Sequence, residues 1–430
     1  MSALVGPAWL RAGLLGTVVL LAACSLPSVG LWSGQGHADT GLYGLYGHRI
    51  ATGELPYRDF YMEFPPGAIP ALVVPDAAHA HYPAAFHWVQ LACLAGCVLL
   101  LAWTLAGAGV RGRRLLAACV LAGAAPAALG QITLNAFDAW PALLSVAAVA
   151  LVANRRERAG LVLLGLATVT KIFPAALLPL LLAHLWRRAG GGRAGSRAAL
   201  AGLLAWGAAV AVVALPFLAL APGGLGYSLK TQVERHLQME SLGASVLMAL
   251  HHLGALEVHV VVGKPFSFDV PGSAADAIAA LTTVLSVVAV LLPLAAWWRA
   301  RQPGDEPLER LLLAVAATVT GLVAFGRVLS PQYLVWLVPL TAMTAPRRAA
   351  PAWALLALSL GLTQVWFPHH FFEIRSVGGI TWVVLARNLA LVGVYAALLA
   401  PLVRDAGGVG AVLRPPRRRA PRHSSTASAA

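Results

Sequence analysis

The sequence predicts an all-α fold, a polytopic bundle of transmembrane helices, and three observations carry that expectation. Of 430 residues 59% are hydrophobic and only 11% charged, far below the roughly one-quarter charged content of soluble domains. Apolar runs long enough to cross a bilayer, about 20 residues each, recur from end to end and lift the mean hydropathy to +0.75. The basic residues are sorted between connections rather than spread evenly. Together these exclude a secreted, cytosolic or disordered chain.

In order, the qualifying runs are 12–32, 84–107, 114–130, 134–152, 159–170, 172–186, 198–220, 276–298, 308–325, 331–345, 349–367 and 378–401, giving about 12 crossings with both termini on one side. In the first run, Leu21-Ala22-Ala23-Cys24 after Arg11 is similar to a bacterial lipoprotein cleavage signal, but the apolar character continues to Trp32 and favours a retained helix. Cys24, Cys93, Cys97 and Cys119 all lie in apolar runs without adjacent His or carboxylate, and read as small core residues. Connections beginning near Arg111, Arg155, Arg187, Arg299 and Arg347, with the two termini, hold 22 of the 31 Lys and Arg, which makes them cytoplasmic. The outer connections hold seven basic residues, Lys264 and Arg375 among them, and eleven of the 17 acids; only Lys171, Arg387 and Asp138 remain at apolar depth. The net charge of +14 is therefore a topology signal, and no nucleic-acid partner is expected.

Residues 159–186 lie between cytoplasmic arginines, so two short legs must fit, turning at Lys171, Phe173 and Pro174. Irregular backbone at that depth is tolerated only against protein or a water-filled cavity, which predicts a cavity opening outward. Residues 1–401 read as one integral membrane domain, and 402–430, ending in a Pro- and Arg-rich stretch, as a disordered cytoplasmic tail against anionic lipid. Two outer loops, 33–83 and 221–275, are too long for connectors and are expected to hold short amphipathic helices and the function.

The first of these loops carries Asp39 and Tyr43 at the membrane exit, then Gly53 to Gly67, where Glu54, Asp59 and Glu63 interleave with Tyr57 and Tyr61 ahead of Pro65-Pro66-Gly67. Such a stretch suits a polar pocket against the bilayer, or equally a solvated helix and turn. Taken in order, Asp39 with Tyr43, Gly53 to Tyr57 with Phe64 to Gly67, Gly130-Gln131 with Asn135, Lys171-Ile172-Phe173-Pro174, Glu240-Ser241-Leu242 and Ser330-Pro331-Gln332-Tyr333 with Trp336 resemble the signatures of GT-C membrane glycosyltransferases, within them the GT87 (DUF2029) family. The likeness spans Asp39 to Leu340 and is to polyprenol-phosphate-mannose-dependent mannosyltransferases and membrane arabinofuranosyltransferases. Each motif alone is weak, and their order and placement carry the resemblance. Phe64 departs from it, standing where the family has Tyr, so no polar role is assigned there.

The resemblance implies transfer of mannose or arabinofuranose from a polyprenyl-phosphate donor to a cell-envelope glycolipid or polysaccharide, on the extracytoplasmic face of a bacterial plasma membrane. Such transfer needs a base for the acceptor hydroxyl and a fixed cation for the leaving phosphate. The resemblance places the functional Asp at the exit of the first crossing, which makes Asp39 the first choice of base and Asp59 the second; Asp39 also suits a helix N-cap. Tyr43, Tyr57, Arg58 and Glu63 join the substrate-binding set, although Arg58 also suits a pair with Asp59 or Glu63. For the phosphate, Lys171 ranks first because a lysine at a break in an apolar run is costly unless it faces a partner; snorkelling to headgroups is its alternative. Arg327, Arg235 and His236 follow. Gln332 and Tyr333 complete the set, with Tyr333 and Trp336 as stacking platforms or interfacial anchors. Asp138 is placed to pair with Lys171 or to sit at the headgroups. Eleven of 13 histidines lie on or near the outer face, including His79/His81, His251/His252 and His369/His370, yet no His-x-x-x-His run with a partnering carboxylate occurs, so no cofactor is expected and a divalent metal is the less favoured alternative.

The alternative from another class is a secondary transporter or lipid-carrier flippase, with Lys171 and Asp138 as coupling residues. It predicts charges deep in several crossings, whereas the acids concentrate in the outer loops. A non-catalytic envelope scaffold would leave the Asp39 to Gly67 constellation without purpose.

Overall fold

The computed structural model describes residues 7–26, 39–263, 267–300, 307–344 and 346–413. The end of the first apolar run, the start of the first outer loop, Lys264 and the basic tail from 414 lie outside the described residues. The all-α expectation holds for the bulk of the chain. Among the described residues seven helical stretches are long and apolar enough to cross a bilayer: Ala8–Ser25, Pro66–Gly107, Gly112–Leu129, Gly192–Leu220, Ser273–Arg299, Arg348–Trp366 and Thr381–Asp405. Helix is forced on such runs because lipid offers the backbone no hydrogen bonds. Gly192–Leu220 and Ser273–Arg299 stand at the periphery, only 6% and 17% buried over their most apolar windows. Their Leu204, Val212, Val284 and Val287 are more than half exposed, an apolar surface that suits acyl chains.

The remaining expected crossings are helices of fewer than 18 residues or, in Pro307–Ala324, of 18. They are Ala139–Ala153, Glu157–Thr170, Leu178–Arg188, Pro307–Ala324 and Leu334–Ala342. The 14 residues of Glu157–Thr170 rise about 21 Å against a hydrocarbon core of about 30 Å, so such legs rely on neighbouring helices and on breaks that other protein groups satisfy. The break foreseen at Lys171 is present: the residue is extended (φ −154°, ψ 141°), and a short turn, Phe173–Leu177, leads into the second leg. Pro174 suits it, because it has no N–H to carry the preceding helix onward and sits in the first turn of the new one, where that donor is not needed.

Both long outer loops contain short helices, Asp39–Ala51 and Ile69–Val73 in the first and Pro222–Val233 and Leu242–His252 in the second. The second loop also holds a small antiparallel sheet that the all-α expectation missed. Its strands are β1 (Leu237–Gln238), β2 (Val261–Gly263) and β3 (Ser267–Val270), ordered β1-β3-β2, with Leu237 opposite Val270 and Val261 opposite Asp269. Short runs rich in Val and Phe favour strands, but these are too brief to show against the helical background. The main core fills the helix bundle. A second cluster, around Tyr43, Tyr46, Tyr57, Phe60, Met62, Phe86 and Phe137, joins the first outer loop to the bundle's mouth.

Candidate active site

Two helix ends meet at the centre of the site, Lys171 at the C-terminus of Glu157–Thr170 and Asp138 before Ala139–Ala153. Lys171 Nζ lies 2.6 Å from Asp138 Oδ1, which also accepts from Trp336 Nε1 at 2.7 Å. The Asp138 side chain is 1% exposed and that of Lys171 17%, so each charge depends on the other at this depth. Three rings surround the ammonium, Phe137 at 4.9 Å and Tyr333 and Trp336 at 5.0 Å. Trp336 is itself stacked between Phe173 at 3.8 Å and Tyr333 at 4.3 Å. Lys171 is thus caged and paired rather than snorkelling.

The first outer loop is fastened to this centre. The Gly67 carbonyl accepts from Trp140 Nε1 and Thr170 Oγ1, both at 3.1 Å. A Cβ at Gly67 would meet the Val169 and Thr170 backbone at 2.7 Å, so only glycine allows the approach. Tyr43 bonds to the backbone of Phe137 and Tyr46 to that of Glu63. Phe64 packs 4.7 Å from Phe137 and 5.8 Å from Tyr43, an aromatic part that needs no hydroxyl. Asp39 opens its helix, and its charge acts on Tyr43, Glu63 and Glu240, which brings two outer loops to one space. Burial pushes the Glu63 carboxyl up to about 6, with Asp39 adding to the rise and Arg235 and Lys171 opposing it.

The second outer loop supplies the facing wall. Arg235 acts electrostatically on Glu63, Glu240, Asp269 and Tyr333 at once. The segment carrying it is pinned by Gln238: its N–H donates to the Arg327 carbonyl and its Oε1 accepts from the Leu329 N–H, both at 3.0 Å. Gln238 Nε2 and the Ser330 hydroxyl hold the carboxyl of Glu240, a residue 2% exposed that burial pushes up to about 8.

Other sequence candidates fall outside this group. Asp59 is held by Arg58 at 2.8 and 2.9 Å and by the Leu55 N–H at 2.7 Å, and these bonds, the Arg58 bond foremost, lower its carboxyl to about 2. The Arg58–Asp59 pair shapes a turn. Tyr57, buried at φ +69°, donates from its hydroxyl to the Phe64 carbonyl at 2.6 Å and anchors that turn. A Cβ on Gly224 would lie 1.8 Å from the Tyr57 carbonyl oxygen, so glycine is again needed where the two outer loops touch. Arg327 Nη2 donates to the Val233 carbonyl at 2.7 Å and fastens the second loop. His236 is exposed beside Asp269, and Gln332 is half-buried in the Pro331–Tyr333 turn. Of the paired histidines, His252 meets Thr381 at 2.8 Å, His251 accepts from the Val258 N–H, and His370 meets Glu373 at 2.6 Å. Among the described residues no group of three His, Cys, Asp or Glu could hold a metal ion. Sequence reasoning gave Glu240 no role of its own, although Glu240-Ser241-Leu242 is one of the motifs of the resemblance; Asp138 and Arg387 carried a signal in their apolar depth.

Against known proteins, a family model described as glycosyltransferase family 87 matches residues 61–331, more than half of the chain. No curated protein matches it.

Proposed function

Since this chain belongs to glycosyltransferase family 87, we propose that it moves a sugar from a polyprenyl-phosphate donor to a glycolipid or polysaccharide of a bacterial cell envelope. The observation that carries the reading is the polarity of the site, with Asp39 and Glu63 contributed by one outer loop and the charges of Lys171 and Arg235 acting on Glu63 from the other side. Donor phosphate suits the cationic side, where Lys171 is already oriented by Asp138 and its aromatic cage. The acceptor hydroxyl suits the acidic side. As its oxygen bonds to the anomeric carbon, Asp39 takes the proton, and the bond from that carbon to the phosphate oxygen breaks with its electron pair leaving on phosphate. Lys171 and Arg235 meet the charge that develops there, so this reading needs no metal. Glu63 is placed for sugar hydroxyls, and Tyr333 and Trp336 for a sugar face or a prenyl unit.

Mannose or arabinofuranose is the sugar this reading favours. About twelve crossings, with both termini cytoplasmic and the pocket facing outward in the plasma membrane, complete it. Its test is transfer by purified protein from a panel of radiolabelled polyprenyl-phosphate sugars to extracted envelope lipid, comparing wild type, Asp39→Asn and Asp59→Asn. Asparagine keeps the capping ability of Asp39 but cannot take a proton. Loss of about 10²-fold or more in Asp39→Asn, with Asp59→Asn near wild type, is the expected result. No transfer from any donor by folded wild-type protein overturns the reading.

A further inference from the structure

Arg387, one of two basic residues at apolar depth, has no part in the site described above, yet it is 0% exposed in the second turn of Thr381–Asp405. Its Nη2 donates to the Glu240 main-chain carbonyl at 3.0 Å, and Asn388 Nδ2 reaches the same oxygen at 3.2 Å. Asn388 Nδ2 also meets Ser245 Oγ at 3.0 Å. The Glu240 side chain is tied in the other direction, by Gln238 Nε2 at 3.2 Å and by the Ser330 hydroxyl. A single residue therefore joins a membrane helix to the segment that continues into Tyr333 and Trp336. Nε and Nη1 of Arg387 are buried without a protein acceptor, and the guanidinium lies 5.4 Å from the Trp366 ring. A charge so placed costs stability that an apolar residue would not, which points to a role other than packing.

We propose that Arg387 and Glu240 are positioning residues that lock the 235–241 segment so that Arg235 is presented to the donor phosphate. The lock rests on the polyprenyl-phosphate reading. The charged and titratable groups facing Glu240 are Arg387 from the membrane helix, Arg235 from its own loop, Asp39 from the first outer loop and Tyr333 from the opposite wall. Burial outweighs the pull of Arg387, Ser330 and Arg235 and brings the Glu240 carboxyl up to about 8, so it is uncharged at neutral pH. Ionisation adds an anion beside the phosphate and draws the carboxylate toward the two unpaired donors of Arg387, slackening the bonds to Ser330 and Gln238. Donor affinity accordingly falls as pH rises through about 8.

The test is donor KM and kcat from neutral to alkaline pH, using full-length protein with Glu240→Ala, Glu240→Gln and Arg387→Met. Glu240→Ala and Arg387→Met raise donor KM about tenfold, the effect of one charge-assisted contact, and leave kcat within about threefold. Glu240→Gln, which still accepts from Ser330 and Gln238 but cannot ionise, restores KM and removes its alkaline rise. A fall in kcat with unchanged KM overturns the lock, as does an alkaline rise that persists in Glu240→Gln. If Arg387→Met fails to fold, the isosteric Gln variant decides alone. Wild type that uses no polyprenyl-phosphate sugar defeats the functional reading and the lock with it, whereas active wild type with insensitive variants defeats only the lock.

Discussion

At the scale of single residues, the site works by making charges depend on one another. Asp138 pairs with Lys171 at 2.6 Å at a depth where a lone charge is costly, and Trp336 donates to the shared oxygen. Asp138→Ala leaves a buried ammonium without its counter-ion and is expected to cost about 3 kcal/mol, seen as a lower thermal midpoint in detergent. Adding Lys171→Met removes the stranded charge and restores part of that loss; a double variant no more stable than the single one would contradict the dependence. Glu63 gives a pH signature of opposite origin. Its carboxyl binds a proton more tightly folded, at about 6, than at its ordinary value of 4.5. Its contribution to stability is therefore present below about 4.5 and lost as pH rises through about 6. Wild type should therefore lose stability relative to Glu63→Gln as pH rises from about 4.5 through about 6, with the difference flat above that window, and unfolding midpoints measured over mildly acidic pH check it.

At the scale of elements, short helices and turns are aimed by a few backbone contacts. Gly67 brings the Pro65-Pro66 turn against Val169 and Thr170, and its carbonyl joins Trp140 to Thr170. Gly67→Ala must push the first outer loop away from the Lys171 break, so activity should fall at least about tenfold through misplacement of Asp39 and Glu63 while the protein remains folded. Unchanged kcat/KM in that variant would show that the two loops are not coupled there. The elements themselves were legible where hydropathy is continuous, as in Gly192–Leu220 and Thr381–Asp405. The Lys171 break was legible too, because proline and a lone lysine interrupt an apolar run. The three-stranded sheet was not, since strands of two to four residues leave no period to detect.

At the scale of the whole molecule, the charge asymmetry gives a prediction about sides. A cysteine placed at Thr52 should react with a membrane-impermeant maleimide on intact spheroplasts, and one placed at Arg188 only after the membrane is opened. The four native cysteines are buried or half-buried and give little background. Labelling of the Arg188 position in intact cells would refute the orientation. What the sequence by itself determined is the membrane class and the family, because lipid imposes its requirement on each segment separately and a motif is a local string. What only the tertiary structure decided is who meets whom: Asp138 with Lys171 and Trp336, Asp39 with Glu63 and Arg235, and Arg387 with Glu240 across 147 residues. Those meetings depend on helix packing and on the exact depth of each break, properties of many side chains jointly that no single stretch of sequence encodes.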